Sequence, residues 1–275
     1  MVLEKARIAC IGGGAMAEAL LAGLLASGLK PGQLYATDPD PVRRKHLSAA
    51  LGIEAGDDND EAVKRSDVVI LAVKPAVILT LLDSLTGSAA ERAQPLWVSI
   101  AAGVSLAALE AGLTHEARIV RAMPNTPALI GSGATGIFGN SAVSEADLEV
   151  IRALFDCVGI TWQAPREHLL DAVTGLSGSG PAYVFAFLEA LMDAGESAGL
   201  PREAAEQLTL QTVYGAAKLA LESDKTPSEL RRQVSSPGGT TVSGLARLSD
   251  GGFAEAISAA VQAASQRAEE LGRGE

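Results

Sequence analysis

Ile8-Ala9-Cys10-Ile11-Gly12-Gly13-Gly14-Ala15-Met16-Ala17 is a short apolar run, a triple glycine and the start of a helical pattern. The run carries no polar residue, as a strand buried on both faces requires. Gly12, Gly14 and Ala17 have the spacing G-x-G-x-x-A. Glycine makes the turn tight and lets backbone N–H groups approach a pyrophosphate at the helix N-terminus, and Ala17 keeps helix and strand close. A second apolar run ends at Asp38, where a ribose-binding acid is expected. The stretch therefore reads as a dinucleotide-binding turn.

Working outward, β-branched runs alternate with helical patterns as far as Pro165, which predicts a parallel sheet flanked by helices. Strands are expected at Arg7–Ile11, Gln33–Thr37, Val68–Ala72, Trp97–Ile100, Ile119–Ala122, Thr135–Phe138 and Ile160–Gln163. Asn59 is positioned to cap a helix through Ser66, and Ser144 with Asp147 approximates a capping box for the helix to Val158. After Pro165 the strands stop. Pro181–Ala198, Arg202–Ser223, Pro227–Val234, Thr241–Leu248 and Phe253–Leu271 read as Ala-rich helices with apolar residues on more than one face. About a hundred residues of such helices are marginal alone, so this half is expected to pack against a second copy of itself. The predicted fold class is α/β: an N-terminal Rossmann-type dinucleotide-binding domain over residues 1–165, then an all-α C-terminal substrate-binding and dimerisation domain over residues 166–275.

Composition narrows the function classes. Acidic residues outnumber basic ones by 33 to 22, a formal charge of −11, which opposes binding to nucleic acid or anionic lipid. Cys10 and Cys157 lie in apolar runs with no partner at ligand spacing, so neither a disulfide nor a metal is expected. Lys5, Arg7 and the segment ending Ala15-Met16-Ala17 imitate a secretory signal, but the triple glycine breaks it and the helical pattern continues through Leu20, Leu21, Leu24 and Leu25. A cytoplasmic protein is expected. The apolar stretch Val68 to Leu82 is interrupted by Lys74-Pro75, so no membrane span is expected.

Further loops follow the carboxyl ends of predicted strands, where ligands bind in open α/β sheets: Val73-Lys74-Pro75 and Met123-Pro124-Asn125-Thr126-Pro127. Asp38 favours NADH because a carboxylate there bonds ribose hydroxyls, whereas Arg43 and Arg44 are placed to reach the extra phosphate of NADPH. Both cofactors stay open. Ser235-Ser236-Pro237-Gly238-Gly239-Thr240-Thr241 offers consecutive N–H groups and hydroxyls at a helix N-terminus, a site for a carboxylate, although Thr240 or Thr241 acting as a simple cap remains an alternative. Hydroxy-acid oxidoreductases with a Rossmann half and a helical half carry a lysine after a G-x-x-G-x-G stretch; here Gly175, Gly178 and Gly180 are present, but that position is Val184. His46, His115 and His168 lie outside the glycine motifs. Alcohol–ketone chemistry needs a strong proton shuttle, whereas a protonated imine is already electrophilic. Hydroxyls and backbone amides alone suit C=N better than C=O. A ketone or hydroxy-acid reductase and a non-enzymatic dinucleotide-binding protein are the competing classes.

With these residues quoted, the chain resembles the pyrroline-5-carboxylate reductase family, through Gly12–Ala17, Val73-Lys74-Pro75, Ala101-Ala102-Gly103, Arg121 to Pro127, Asp171–Tyr183 and Ser235–Thr241. The resemblance implies NADPH- or NADH-dependent reduction of 1-pyrroline-5-carboxylate to L-proline, and dimers that in many members assemble into rings of five, a decamer. It implies cofactor contacts at Gly12, Gly14, Ala15, Met16, Thr37, Asn59, Val73, Lys74 and Ala102. Substrate contacts would be Glu167, Ser236, Gly239, Thr240 and Thr241, with Thr241 catalytic at the ring nitrogen. Gly13, Ala17 and Gln233 depart from the usual family residues.

Overall fold

Alternation along the strands sets the layers. In β1 (Ile8–Ile11), Ile8 and Cys10 belong to one apolar cluster and Ala9 and Ile11 to another, and all four are buried. Burial of this kind is what a continuous apolar run demands. It pushes the Cys10 thiol up to about 12, which fits an inert core residue. The computed structural model describes residues 3–87 and 89–273. After β1 come α1 (Ala15–Ala26), β2 (Leu34–Thr37), α2 (Pro41–Leu51), β3 (Glu54–Gly56), α3 (Asn59–Lys64), β4 (Val68–Leu71), α4 (Pro75–Ser84) and α5 (Ala89–Ala93). The series continues with β5 (Leu96–Ser99), α6 (Leu106–Gly112), β6 (Arg118–Met123), β7 (Gly133–Gly139), α7 (Glu145–Asp156), β8 (Gly159–Gln163) and α8 (Leu169–Val173).

The strands form one sheet in the order β3-β2-β1-β4-β5-β6-β7-β8. Leu20, Leu21 and Leu24 of α1, Leu47 of α2 and Leu154 and Phe155 of α7 cover one face. Val63 of α3, Ile78 and Leu82 of α4 and Leu109 of α6 cover the other. Gly23 of α1 sits so close to the end of α7 that a Cβ there would lie 2.4 Å from Val158 Cγ1. Strand order reverses between β1 and β4, and the Gly12 turn stands at that switch point, where open α/β sheets bind ligands.

The sheet departs from the expected pattern in several places. β3 was not foreseen: Glu54-Ala55-Gly56 has no apolar alternation, and it pairs in parallel with β2 from the sheet edge. β7 runs antiparallel to β6 because the link between them is a 3-10 turn, Thr126–Ile130, too short for a crossover. Gln33 closes a 3-10 turn rather than opening β2. Asn59 does not cap α3; Asp58 does, accepting from Glu61 N at 3.0 Å, and the helix ends at Lys64. The capping box at Ser144 is present: Asp147 Oδ2 accepts from Ser144 N at 2.9 Å, and Ser144 Oγ from Asp147 N at 3.2 Å.

Two compact units emerge. One runs up to Ser179 and is joined by the residues from Gln262 onward; the other is Gly180–Val261. The second contains α9 (Gly180–Ser197), α10 (Arg202–Glu222), α11 (Pro227–Gln233), α12 (Thr240–Asp250) and the start of α13 (Phe253–Arg273). Tyr183 Oη donates to Ala260 O at 3.3 Å, and the Phe187 and Phe253 rings lie 6.4 Å apart. Ala205 and Thr209 are its only buried residues, while Leu208, Tyr214, Leu219 and Leu221 are exposed. Helices with so much uncovered apolar surface are what the sequence predicted for a half that needs a partner.

Candidate active site

The Gly12 turn is held by backbone contacts that leave no room for a side chain. Gly12 has φ +99°, and a Cβ on it would lie 2.6 Å from Ala72 O and 2.8 Å from Val73 Cγ1. Its N–H donates to Thr37 O at 2.8 Å. A Cβ at Gly13 would meet Leu47 Cδ1 at 2.8 Å and Asp38 Oδ2 at 3.2 Å, so this unusual glycine lets the turn lie against α2. Gly14, by contrast, faces open space and is the N-cap of α1 with no side chain capping it. An open glycine before an uncapped helix N-terminus is a cradle for a diphosphate, so these residues fit a dinucleotide. Ala15 is exposed, Met16 half-buried and Ala17 fully buried against the sheet.

Beside this turn lies a network of charge. Asp38 Oδ2 accepts from Gly13 N and Oδ1 from Asp40 N, both at 2.9 Å. Arg43 donates to Gly13 O and pairs with Glu18, and His46 Nε2 lies 2.9 Å from the same carboxylate. His46 and Arg43 together hold the Glu18 carboxyl below its usual range. Arg44 donates to Asp38 O at 2.8 Å and pairs with Asp57 at 3.2 Å. Thr37 Oγ1 donates to Asn59 Oδ1 at 2.6 Å, which joins two predicted cofactor residues. Val73 and Ala102 are half-buried, and exposed Lys74 is the N-cap of α4 without a side-chain cap bond. Gly12, Thr37, Val73, Lys74 and Ala102 thus gather at the carboxyl ends of β1, β2, β4 and β5. The Asn125 loop is stitched down instead: Asn125 is buried, donating to Ser177 O at 3.0 Å and accepting from Ala134 N at 2.9 Å.

Glu167 is anchored through one oxygen. Its Oε1 accepts from Leu106 N at 2.8 Å and from Arg121 Nη1 at 2.6 Å. Arg121 also lies 4.0 Å from Asp171, and these groups line a cavity of about 500 Å³ together with Ser105, His168 and Glu269. Sequence reasoning named Glu167 but missed Arg121 as its partner. The signal was present: an arginine amid Ile-Val-Arg-Ala-Met of β6 is buried and demands a carboxylate. Burial pushes the Asp171 carboxyl above its ordinary range; Arg121 opposes this, and Glu269 and Glu167 add to it. A carboxyl whose pKa rises on folding penalises the fold above its unfolded value, near 3.8, and the penalty is absent once it is protonated in both states. Asp171→Asn should therefore raise the thermal midpoint at neutral pH, and the gain should fade as pH falls toward 3.8. Melting curves across that range check it; a gain independent of pH would contradict it.

In the helical unit, α12 starts at Thr240, one residue earlier than predicted, with Gly239 as N-cap and no side-chain cap. Neither threonine hydroxyl serves as the cap. Gly238 has φ +73°, and Gly239 N donates to Ser236 O at 2.9 Å, so the loop curls before the helix. Ser236 and Thr240 are exposed, and Gly239 and Thr241 half-buried. Ser236, Gly239, Thr240 and Thr241 thus stand together at one helix N-terminus, the arrangement that receives a carboxylate.

Comparison with known proteins covers both units. Residues 167–271 match the family model described as pyrroline-5-carboxylate reductase dimerisation, and residues 7–103 match that described as NADP oxidoreductase, coenzyme F420-dependent. A pyrroline-5-carboxylate reductase of Synechocystis sp. is 46% identical, over 97% of this chain and 98% of that protein. The solved structure of such a reductase from Coxiella burnetii superposes with a TM-score of 0.90 at 38% identity, covering 98% of this chain and 99% of that one. The Plasmodium falciparum pyrroline carboxylate reductase, solved with NADP bound, gives a TM-score of 0.87 at 31% identity, covering 98% and 99%. With a Rossmann-type sheet, a helical C-terminal region and relatives matched from end to end, this chain belongs to the pyrroline-5-carboxylate reductase family.

Proposed function

We infer that this protein reduces 1-pyrroline-5-carboxylate to L-proline with NADPH or NADH, the hydride going to the imine carbon. The observation that carries the reading is the match, across both units, to reductases of that name. The division of labour runs between residues 1–165, which hold the cofactor, and residues 166–275, which hold the substrate and the partner subunit. Gly12, Gly14, Ala15 and Met16 receive the diphosphate, and Thr37, Asn59, Val73, Lys74 and Ala102 form the walls at the strand ends. A bound nicotinamide supplies the hydride. Ser236, Gly239 and Thr240 take the substrate carboxylate, Glu167 presents a carboxylate to the imino acid, and the Thr241 hydroxyl meets the ring nitrogen as hydrogen-bond partner or proton donor. Val184, in place of a lysine, leaves no strong proton shuttle at that position, which suits an imine.

The working form is a homodimer built through the helical half, with a decamer as the higher assembly. The apolar side chains exposed on α10 support this. Among the described residues no helix is long and apolar enough to cross a membrane, and the charge of −11 disfavours nucleic acid; the reading is a cytoplasmic enzyme that binds neither. The test is to mix purified protein with 1-pyrroline-5-carboxylate and each nicotinamide. Loss of reduced-nicotinamide absorbance with formation of proline is expected. Turnover of a hydroxy acid instead, with none of the imine, would contradict it.

A further inference from the structure

We propose that Asp38 makes this enzyme prefer NADH over NADPH. The inference rests on the dinucleotide reading of the Gly12 turn and goes beyond it to the choice between the two cofactors. From the sequence alone Asp38 and the pair Arg43, Arg44 pulled in opposite directions. Their geometry decides between them. The Asp38 carboxylate is fixed at the end of β2 by two backbone donors, Gly13 N and Asp40 N, each at 2.9 Å. It therefore stands against the phosphate-binding turn itself, in position to accept from a ribose hydroxyl. A 2′-phosphate on the same ribose would bring negative charge against a carboxylate that is not free to swing away.

Relief would have to come from a cation, and the nearby cations are engaged. Arg43 is bound to Glu18 and Gly13 O. Arg44 pairs with Asp57 and donates to the carbonyls of Asp38 and Pro39. His46 leans on Glu18 as well. Lys45 is exposed and lies about 100° round the helix from Arg44, away from the position that faces Asp38. To serve a phosphate, either arginine would have to give up a carboxylate and carbonyl partners it already holds. With Arg43 paired to Glu18 and Arg44 to Asp57, the carboxylates left without an arginine beside the turn are Asp38 and Asp40.

Equilibrium titration of the purified protein with NADH and with NADPH, followed by calorimetry without substrate, tests this independently of turnover. NADH is expected to bind at least about tenfold more tightly, a ratio that one uncompensated like-charge contact readily supplies. Asp38→Asn keeps an oxygen for the Gly13 N–H, gives up the bond from Asp40 N and removes the charge, so it should bring the two affinities together; Asp38→Ser should carry the preference toward NADPH. Wild-type affinity for NADPH equal to or greater than that for NADH would overturn the proposal, as would an unchanged ratio in both variants. Binding of neither nucleotide would instead remove the dinucleotide site on which the proposal rests, and the preference with it.

Discussion

Gly12→Ala is expected to weaken binding of either reduced nicotinamide dinucleotide by about ten- to a hundredfold. The added methyl group would need to occupy a point 2.6 Å from Ala72 O and 2.8 Å from Val73 Cγ1. The first of these is backbone of the neighbouring strand end, held by Ala72 N donating to Ile11 O at 2.8 Å, and cannot turn aside. The residue would also have to adopt φ +99°, which non-glycine residues reach only at a cost of about 1–3 kcal/mol. Strain of that size, released by moving the turn out of line, converts to about a ten- to a hundredfold loss in affinity. Fluorescence titration with NADH and NADPH measures it, and wild-type affinity in this variant would show that the turn does not hold the diphosphate.

Thr241→Ala should lower the rate by about ten- to a thousandfold, the range for losing one donor that acts in the transition state. The structural ground is that the hydroxyl is not spent on local structure: α12 is capped by the Gly239 backbone, with no side-chain cap bond. Removing it should therefore leave the helix intact and act on chemistry. Steady-state kinetics should show the loss in kcat more than in KM, with the melting temperature close to wild type. An unchanged kcat would take Thr241 out of the mechanism. Thr240→Ala, which removes a group assigned to the substrate carboxylate, should act mainly on KM.

Much of the fold was legible because burial on two faces leaves a mark that length and composition carry directly. Val68–Ala72 and Trp97–Ile100 read as interior strands, and strands stand within a residue of those bounds at Val68–Leu71 and Leu96–Ser99; the Gly12 turn after β1 announced the switch point. β3 left no such mark, since an edge strand of Glu-Ala-Gly buries little and is defined by pairing with β2. The direction of β7 was not legible either, for strand patterns carry no sense of orientation; only the shortness of the Thr126–Ile130 link hinted at it. Helix starts slipped by one residue at Asn59 and at Thr241 because Asp58 and Gly239 compete for the same role, and cap choice is settled by backbone angles. At the site, residue types were readable while their partners were not. Nothing in the spacing of Arg121 and Glu167 ties them together, and whether Arg43 and Arg44 were free depended on Glu18 and Asp57, which pack beside them only once the sheet forms.

In the proposed reaction a hydride crosses from the nicotinamide to the imine carbon of 1-pyrroline-5-carboxylate. The most direct test is a single turnover with nicotinamide deuterated at the transferring position of C4, followed by mass and NMR analysis of the product. Deuterium is predicted at the ring carbon next to nitrogen that was double-bonded in 1-pyrroline-5-carboxylate, with one label per proline formed. Proline formed without the label, or no proline at all with either cofactor, would contradict the account.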